Sequence, residues 1–335
     1  MLAFGLALLL GGGEALVRGA AALARGLGVS PLVVGLTVVS FGTSAPELAV
    51  NALAAVKGNP GLSFGNIVGS NLANIGLIVA GAALLRPLDI KSVVLLRELP
   101  MMLLATLMAL VLSLDTLLDS RTEQVWDRAD GLVLLLVFTV FVYYTANELL
   151  RQRRRALVVP DAPGAGVPAV VEPENGKVEA SAGPRPPVLP NLGLVLAGIV
   201  ALVVGARLTV DGAVGLARWL GVSEVLIGLT VVAVGTSLPE LAASIIAALR
   251  RQADLAVGNV VGSNIFNLLM VGGICATLRP IPIPEGGVVD LVVTLALSLL
   301  LWVLAATAGR QLIRVEGALL LVVYLAYVVH RSLGG

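Results

Sequence analysis

Two six-residue strings, Gly42-Thr43-Ser44-Ala45-Pro46-Glu47 and Gly235-Thr236-Ser237-Leu238-Pro239-Glu240, set a carboxylate, a proline and two hydroxyls inside long apolar runs. On a helix Glu47 lies four residues from Thr43 and three from Ser44, so the three side chains share a face. Pro46 has no amide hydrogen for the carbonyl of Gly42, and its ring pushes that turn open. Gly42 and Pro46 together predict a break at mid-helix. A freed carbonyl in hydrocarbon is costly unless something satisfies it, and a cation can do so. The same reasoning holds for Gly235, Pro239 and Glu240.

A second pair of strings adds amides and further hydroxyls: Gly65 to Asn74 and its copy Gly258 to Asn267. Ser70 and Asn74 lie one turn apart, as do Ser263 and Asn267. Asn66 and Asn259 extend the polar set, and the pairs Gly65/Gly69 and Gly258/Gly262 form small-xxx-small patterns that let another helix approach closely. The collected donors are carboxylate, hydroxyl, amide and backbone oxygens, with no imidazole or thiol. Such a set suits hard cations, and Ca²⁺ takes about 6–8 oxygens at roughly 2.3–2.6 Å. Two glutamates balance one divalent ion, but equally two or more Na⁺ ions or protons. Against ligation stand blander roles: hydroxyls bonded to their own helix, glycines for packing, and serines and asparagines as helix-to-helix glue.

The elements that must hold these groups are membrane helices. The 335-residue chain is 58% hydrophobic and 13% charged, with a mean hydropathy of +0.99, far outside soluble averages. Spans are predicted near 2–24, 31–56, 62–85, 93–114 and 129–150, and again near 191–217, 223–249, 254–278, 286–308 and 311–330. Residues 28–74 and 221–267 align without a gap at an offset of 193, with 25 of 47 positions identical. A five-span unit followed by its copy re-enters the membrane from the opposite face. The expected fold is therefore an all-α integral membrane protein of ten transmembrane helices in two inverted five-helix repeats, with broken helices 2 and 7 at the centre. The first repeat is 1–150, with its motif at 28–74, and the second is 191–335, with its motif at 221–267. Residues 151–190, which open on Arg151-Gln-Arg-Arg-Arg155 and continue rich in Pro, Gly and Ala, read as a flexible linker. With both termini outside, fourteen basic residues fall in inner segments against six in outer ones, which places the linker in the cytoplasm and the protein in the plasma (inner) membrane.

Both motif pairs resemble the two alpha repeats of the cation/Ca²⁺ exchanger superfamily, most closely its prokaryotic Na⁺/Ca²⁺ exchanger branch. The resemblance implies a secondary antiporter exchanging Ca²⁺ for Na⁺ by alternating access. It implies that Glu47 and Glu240 are the Ca²⁺ carboxylates, completed by the carbonyls of Thr43 and Thr236. Ser44, Ser237, Ser70 and Ser263 would form flanking Na⁺ sites with the backbone oxygens of Ser40 and Ala233, and Asn74 and Asn267 would line the centre. Some Na⁺-coupled members carry Asp where Asn267 stands, so this pocket has two ionisable groups rather than three. An alternative is exchange of Ca²⁺ or another divalent ion for H⁺, although the proton-coupled branch typically has Gly-Asn-Ala in place of Gly-Thr-Ser.

Other classes fit less well. A channel needs a continuous pore, usually built from repeated subunits. One histidine, His330 at the end of the last span, cannot supply a zinc enzyme's ligands, and no H-E-x-x-H or phosphate-binding loop occurs. No cofactor, nucleotide or nucleic acid is expected; the partners are the lipid bilayer and the transported Ca²⁺ and Na⁺, and the protein is expected to be a monomer. Cys275 reads as a small core residue. Glu14 and Arg18 in span one, and Arg207 and Asp211 at the equivalent positions in span six, read as pairs within a helix, a bridge between these spans, or charges on a sliding gate.

Overall fold

The computed structural model describes residues 1–57, 61–115, 124–158, 186–220, 235–307 and 309–334. Helices dominate: α1 (Leu2–Leu27), α2 (Pro31–Val56), α3 (Gly61–Leu85), α4 (Val94–Val111), α5 (Arg128–Val158), α6 (Val188–Trp219), α7 (Leu238–Leu249), α8 (Ala253–Leu278), α9 (Gly287–Thr307) and α10 (Arg314–Gly334). All but α7 are long and apolar enough to cross a membrane. Of the span expected at 223–249, residues 223–234 lie outside the described residues and Leu238–Leu249 form α7.

The turns are set by local sequence. Ser30 caps α2, its hydroxyl accepting from the Val33 amide, with Pro31 at the first helical position. Gly28 ends α1 in the left-handed region at φ 70°, a conformation glycine adopts without steric cost. Arg86 and Arg279 leave the helix in extended conformation ahead of Pro87 and Pro280, as proline demands of the residue before it.

Four strands, each two residues long, were not expected. β1 (Leu88–Asp89), which follows α3, pairs antiparallel with β4 (Gln311–Leu312) between α9 and α10. β3 (Ile281–Pro282), which follows α8, pairs antiparallel with β2 (Val125–Trp126) between α4 and α5. Each ladder presses apolar side chains inward: Leu88 against Leu312, Trp126 against Ile281, all buried.

Helices α1 and α6 pack along their length through glycines seven residues apart, Gly5, Gly12 and Gly19 against Gly198, Gly205 and Gly212. A Cβ at Gly12 would stand 2.9 Å from both the Ala201 Cβ and the Leu202 amide nitrogen. The backbones therefore touch directly, as small residues permit in membranes.

Two expectations need correction. Helix α5 runs to Val158, eight residues into the stretch read as linker. The run Arg151-Gln-Arg-Arg-Arg-Ala-Leu is made of good helix formers, and basic residues suit the C-terminal end of a helix dipole. Helix α2 is not interrupted at Gly42–Pro46: Ser40–Val56 is one α-helix with Pro46 inside it. One missing hydrogen bond does not end a helix whose neighbours hold it. In the second half α7 starts at Leu238, inside its motif, with Thr236 and Ser237 in a turn before it.

Glu14 is bound twice, by Arg18 within α1 and by Arg250 at the end of α7, whose guanidinium lies 2.7 Å away. No bridge joins α1 to α6 through it. Among the described residues, Arg207 and Asp211 form no ion pair. Cys275 is buried in the core as expected.

Candidate functional site

Three π-helical turns surround the motifs: Gly35–Val39 just before Ser40, Asn74–Val79 opening on Asn74, and Phe266–Gly272 enclosing Asn267. A π turn carries an extra residue and re-aims the side chains after it, which is why such turns recur at functional sites. At Ser40 the hydroxyl donates to the Gly35 carbonyl at 2.6 Å. In α8, Gly258 and Gly262 let α2 approach closely: a Cβ at Gly258 would stand 2.9 Å from the Leu32 carbonyl. The equivalent partner of Gly65 and Gly69, residues 221–234, lies outside the described residues, and Ala233 with it.

Both carboxylates are inside, Glu47 at 2% exposure and Glu240 at 1%. The Ser44 hydroxyl donates to Glu240 Oε1 at 3.2 Å, joining the two copies of the motif. Ser237 donates to the Ser70 hydroxyl at 3.4 Å, and Ser70 donates on to Asn66 at 3.2 Å. The Thr43 hydroxyl donates to Asn259 Oδ1 at 3.2 Å. Asn259 donates in turn to Ser244 Oγ at 3.0 Å. Ser263, Asn74 and Asn267 are buried alongside, while Thr236 is half-buried in the turn before α7. Hydrogen bonds thus join predicted side chains of the two halves at three points, Ser44 to Glu240, Ser237 to Ser70 and Thr43 to Asn259.

Satisfaction of these groups is lopsided. Among the described residues, the buried side-chain polar atoms without a hydrogen-bond partner are Glu47 Oε1 and Oε2, Asn71 Oδ1, Asn74 Oδ1, Glu240 Oε2, Ser263 Oγ and Asn267 Oδ1. All seven are oxygens, and all belong to the repeated motifs. Orphaned buried acceptors cost about 1–3 kcal/mol each, more when charged, so their concentration in one place demands a role. No group of three or more His, Cys, Asp or Glu side chains that could hold a metal ion occurs among the described residues.

Sequence reasoning missed several members. Asn71 supplies one of the orphaned oxygens, and its amide donates to the Asn264 carbonyl at 3.1 Å. Asn264 binds Asn74, and Asn51 donates to the Glu47 carbonyl at 2.7 Å. Asn71 and Asn264 occupy the same place in both copies of Gly-Ser-Asn, and that repetition was the available signal.

Fold and site together define a helical, multi-pass membrane protein with an oxygen-donor site buried among its helices. The chain belongs to the sodium/calcium exchanger protein family, whose pattern matches residues 1–146 and 190–333. It is 32% identical over 350 residues to the sodium/calcium exchanger MaX1 of Methanosarcina acetivorans, covering 98% of this chain and 97% of that one. It is 35% identical to the inner membrane protein YrbG of Escherichia coli, covering 92% and 90% respectively. Its fold is similar to that of the sodium-calcium exchanger NCX_Mj soaked with Na⁺ and Ca²⁺, with a TM-score of 0.78, 31% identity, and coverage of 98% of this chain and 96% of that one.

Proposed function

We propose that this protein is a secondary antiporter of the plasma membrane that exchanges Ca²⁺ for Na⁺ by alternating access. The observation that carries this reading is that, among the described residues, the buried side-chain oxygens left without a hydrogen-bond partner come from both motif copies, and oxygen donors are what Ca²⁺ takes. Glu47 and Glu240 supply the charge that balances one Ca²⁺. Thr43, Thr236, Ser44, Ser237, Ser70, Ser263, Asn74, Asn267, Ser40 and Ala233 complete overlapping Ca²⁺ and Na⁺ positions, with Asn71 as a further oxygen. Membership of the exchanger family supports the same cargo.

The architecture we infer is ten spans in two inverted halves, 1–150 and 191–335. The two ladders support it. If every helix crosses once, β1 and β4 each follow an odd number of crossings and β2 and β3 an even number, so the ladders cap opposite faces. With both termini outside, the linker is cytoplasmic, and the protein works as a monomer.

Exchange rather than leak follows from the carboxylates. Two bare charges moving through a low-dielectric barrier are strongly disfavoured, so the pocket changes sides only when loaded. Ca²⁺ and Na⁺ compete for the same oxygens, and one gradient drives the other. The test is uptake of radiolabelled Ca²⁺ into Na⁺-loaded proteoliposomes, with Na⁺, K⁺ and pH gradients imposed separately. Uptake that needs internal Na⁺ is expected. Uptake driven by a pH gradient alone replaces Na⁺ with protons as the counter-ion, and counter-ion-independent flux removes the antiport reading.

A further inference from the structure

The amide orientation of the cage is set from outside the two motifs, by a methionine. Met102 on α4 is completely buried, and the Asn264 amide nitrogen lies 3.4 Å from its sulfur. Asn264 Oδ1 accepts from the Asn74 amide nitrogen at 2.9 Å. Asn74 Oδ1 is then left without a partner, one of the orphaned oxygens. A thioether can only accept a hydrogen bond, whereas a carboxamide can present either end. The sulfur therefore fixes the sense of the relay: Asn264 must turn its NH₂ to Met102, its oxygen to Asn74, and Asn74 its NH₂ to Asn264. With the relay reversed, Asn74 would aim an NH₂ at the cation.

Resting on the exchanger reading above, we propose that Met102 is a positioning residue for cation binding, acting through Asn264 to keep the Asn74 oxygen turned toward the ion. The other copy is held differently: Asn71 donates its NH₂ to the Asn264 backbone carbonyl at 3.1 Å. Asn71, the equivalent of Asn264, keeps an unpartnered Oδ1, and Asn267, the equivalent of Asn74, keeps its own.

The experiment is a double-mutant cycle in proteoliposomes, reading the KM and kcat of Na⁺-dependent Ca²⁺ uptake. Met102→Leu conserves volume and deletes the acceptor. It raises the Ca²⁺ KM about three- to tenfold, with a smaller change in kcat, an effect the size of one modest hydrogen bond. Asn74→Ala raises KM by at least as much. Because Met102 acts through Asn74, the double variant matches Asn74→Ala alone rather than multiplying the two effects. An unchanged KM in Met102→Leu, or multiplicative effects in the double variant, overturns the proposal while leaving wild-type exchange intact. Loss of Na⁺-dependent uptake in the wild type would instead remove the exchanger reading beneath it. Where Met102→Leu does not fold, Asn264→Ala cycled against Asn74→Ala tests the next link, with the same two outcomes.

Discussion

Glu240→Gln is the perturbation whose size follows most directly from the structure. The substitution keeps the shape of the side chain and an oxygen that can accept from the Ser44 hydroxyl, now 3.2 Å from Oε1. It removes one negative charge from a side chain only 1% exposed, whose second oxygen has no partner. Two unit charges about 4 Å apart interact with about 4 kcal/mol at an effective dielectric constant near 20. A divalent ion feels twice that, so Ca²⁺ loses roughly 4 kcal/mol more than Na⁺, on the order of a thousandfold in relative affinity. Part of the gain is cancelled by the cost of stripping water from the carboxylate, and a loss of at least about a hundredfold in Ca²⁺ affinity is the conservative figure. The ion-free variant should also melt higher than wild type, because an uncompensated buried charge has been neutralised. Ligand at 100 times Kd stabilises a native protein by about 2.7 kcal/mol; wild type should show that Ca²⁺-dependent rise in Tm and the variant should not. Thermal melts in detergent with and without Ca²⁺, beside radiolabelled uptake, read both effects. A variant that exchanges Ca²⁺ at the wild-type KM, or gains as much Tm from Ca²⁺ as wild type, refutes the reasoning.

Other substitutions probe separate parts of the molecule. Gly12→Val should destabilise by about 1–3 kcal/mol or more through overpacking, since a Cβ there already falls 2.9 Å from Ala201; the readout is Tm in the absence of ions. Arg250→Gln breaks a bridge to Glu14 whose partners are half-exposed, so Tm should hold within about 1 kcal/mol while turnover shifts by up to about fivefold if α1 and α6 move past α7. Ser70→Ala and Ser237→Ala each cut the hydroxyl contact between the halves; both should raise the Na⁺ concentration for half-maximal exchange by about three- to tenfold, with less effect on Ca²⁺, measured by Na⁺ titration of Ca²⁺ efflux.

The carboxylates and hydroxyls were legible because duplication marks them: a feature present in both copies at an offset of 193 has two chances to be seen. The amides were less legible. Asn71 lies three residues from Asn74 and so within reach of the same face, but that Asn71, Asn74 and Asn264 meet one another across the halves is a tertiary fact. Pro46 was read as a break because sequence shows the lost hydrogen bond and not the neighbours that hold the helix together. The strand ladders are two residues long, too short for any alternation to appear. Glycines at seven-residue spacing in α1 and α6 were readable in principle. Their meaning depends on which helices lie antiparallel, and that is a tertiary fact.

The position of the bound cation tests the central idea most directly. Crystals soaked in Ca²⁺ or Sr²⁺ should show an anomalous peak between Glu47 and Glu240, coordinated only by oxygen, that fades as Na⁺ in the soak is raised. A divalent ion found elsewhere with that gap empty, or one indifferent to Na⁺, would contradict it.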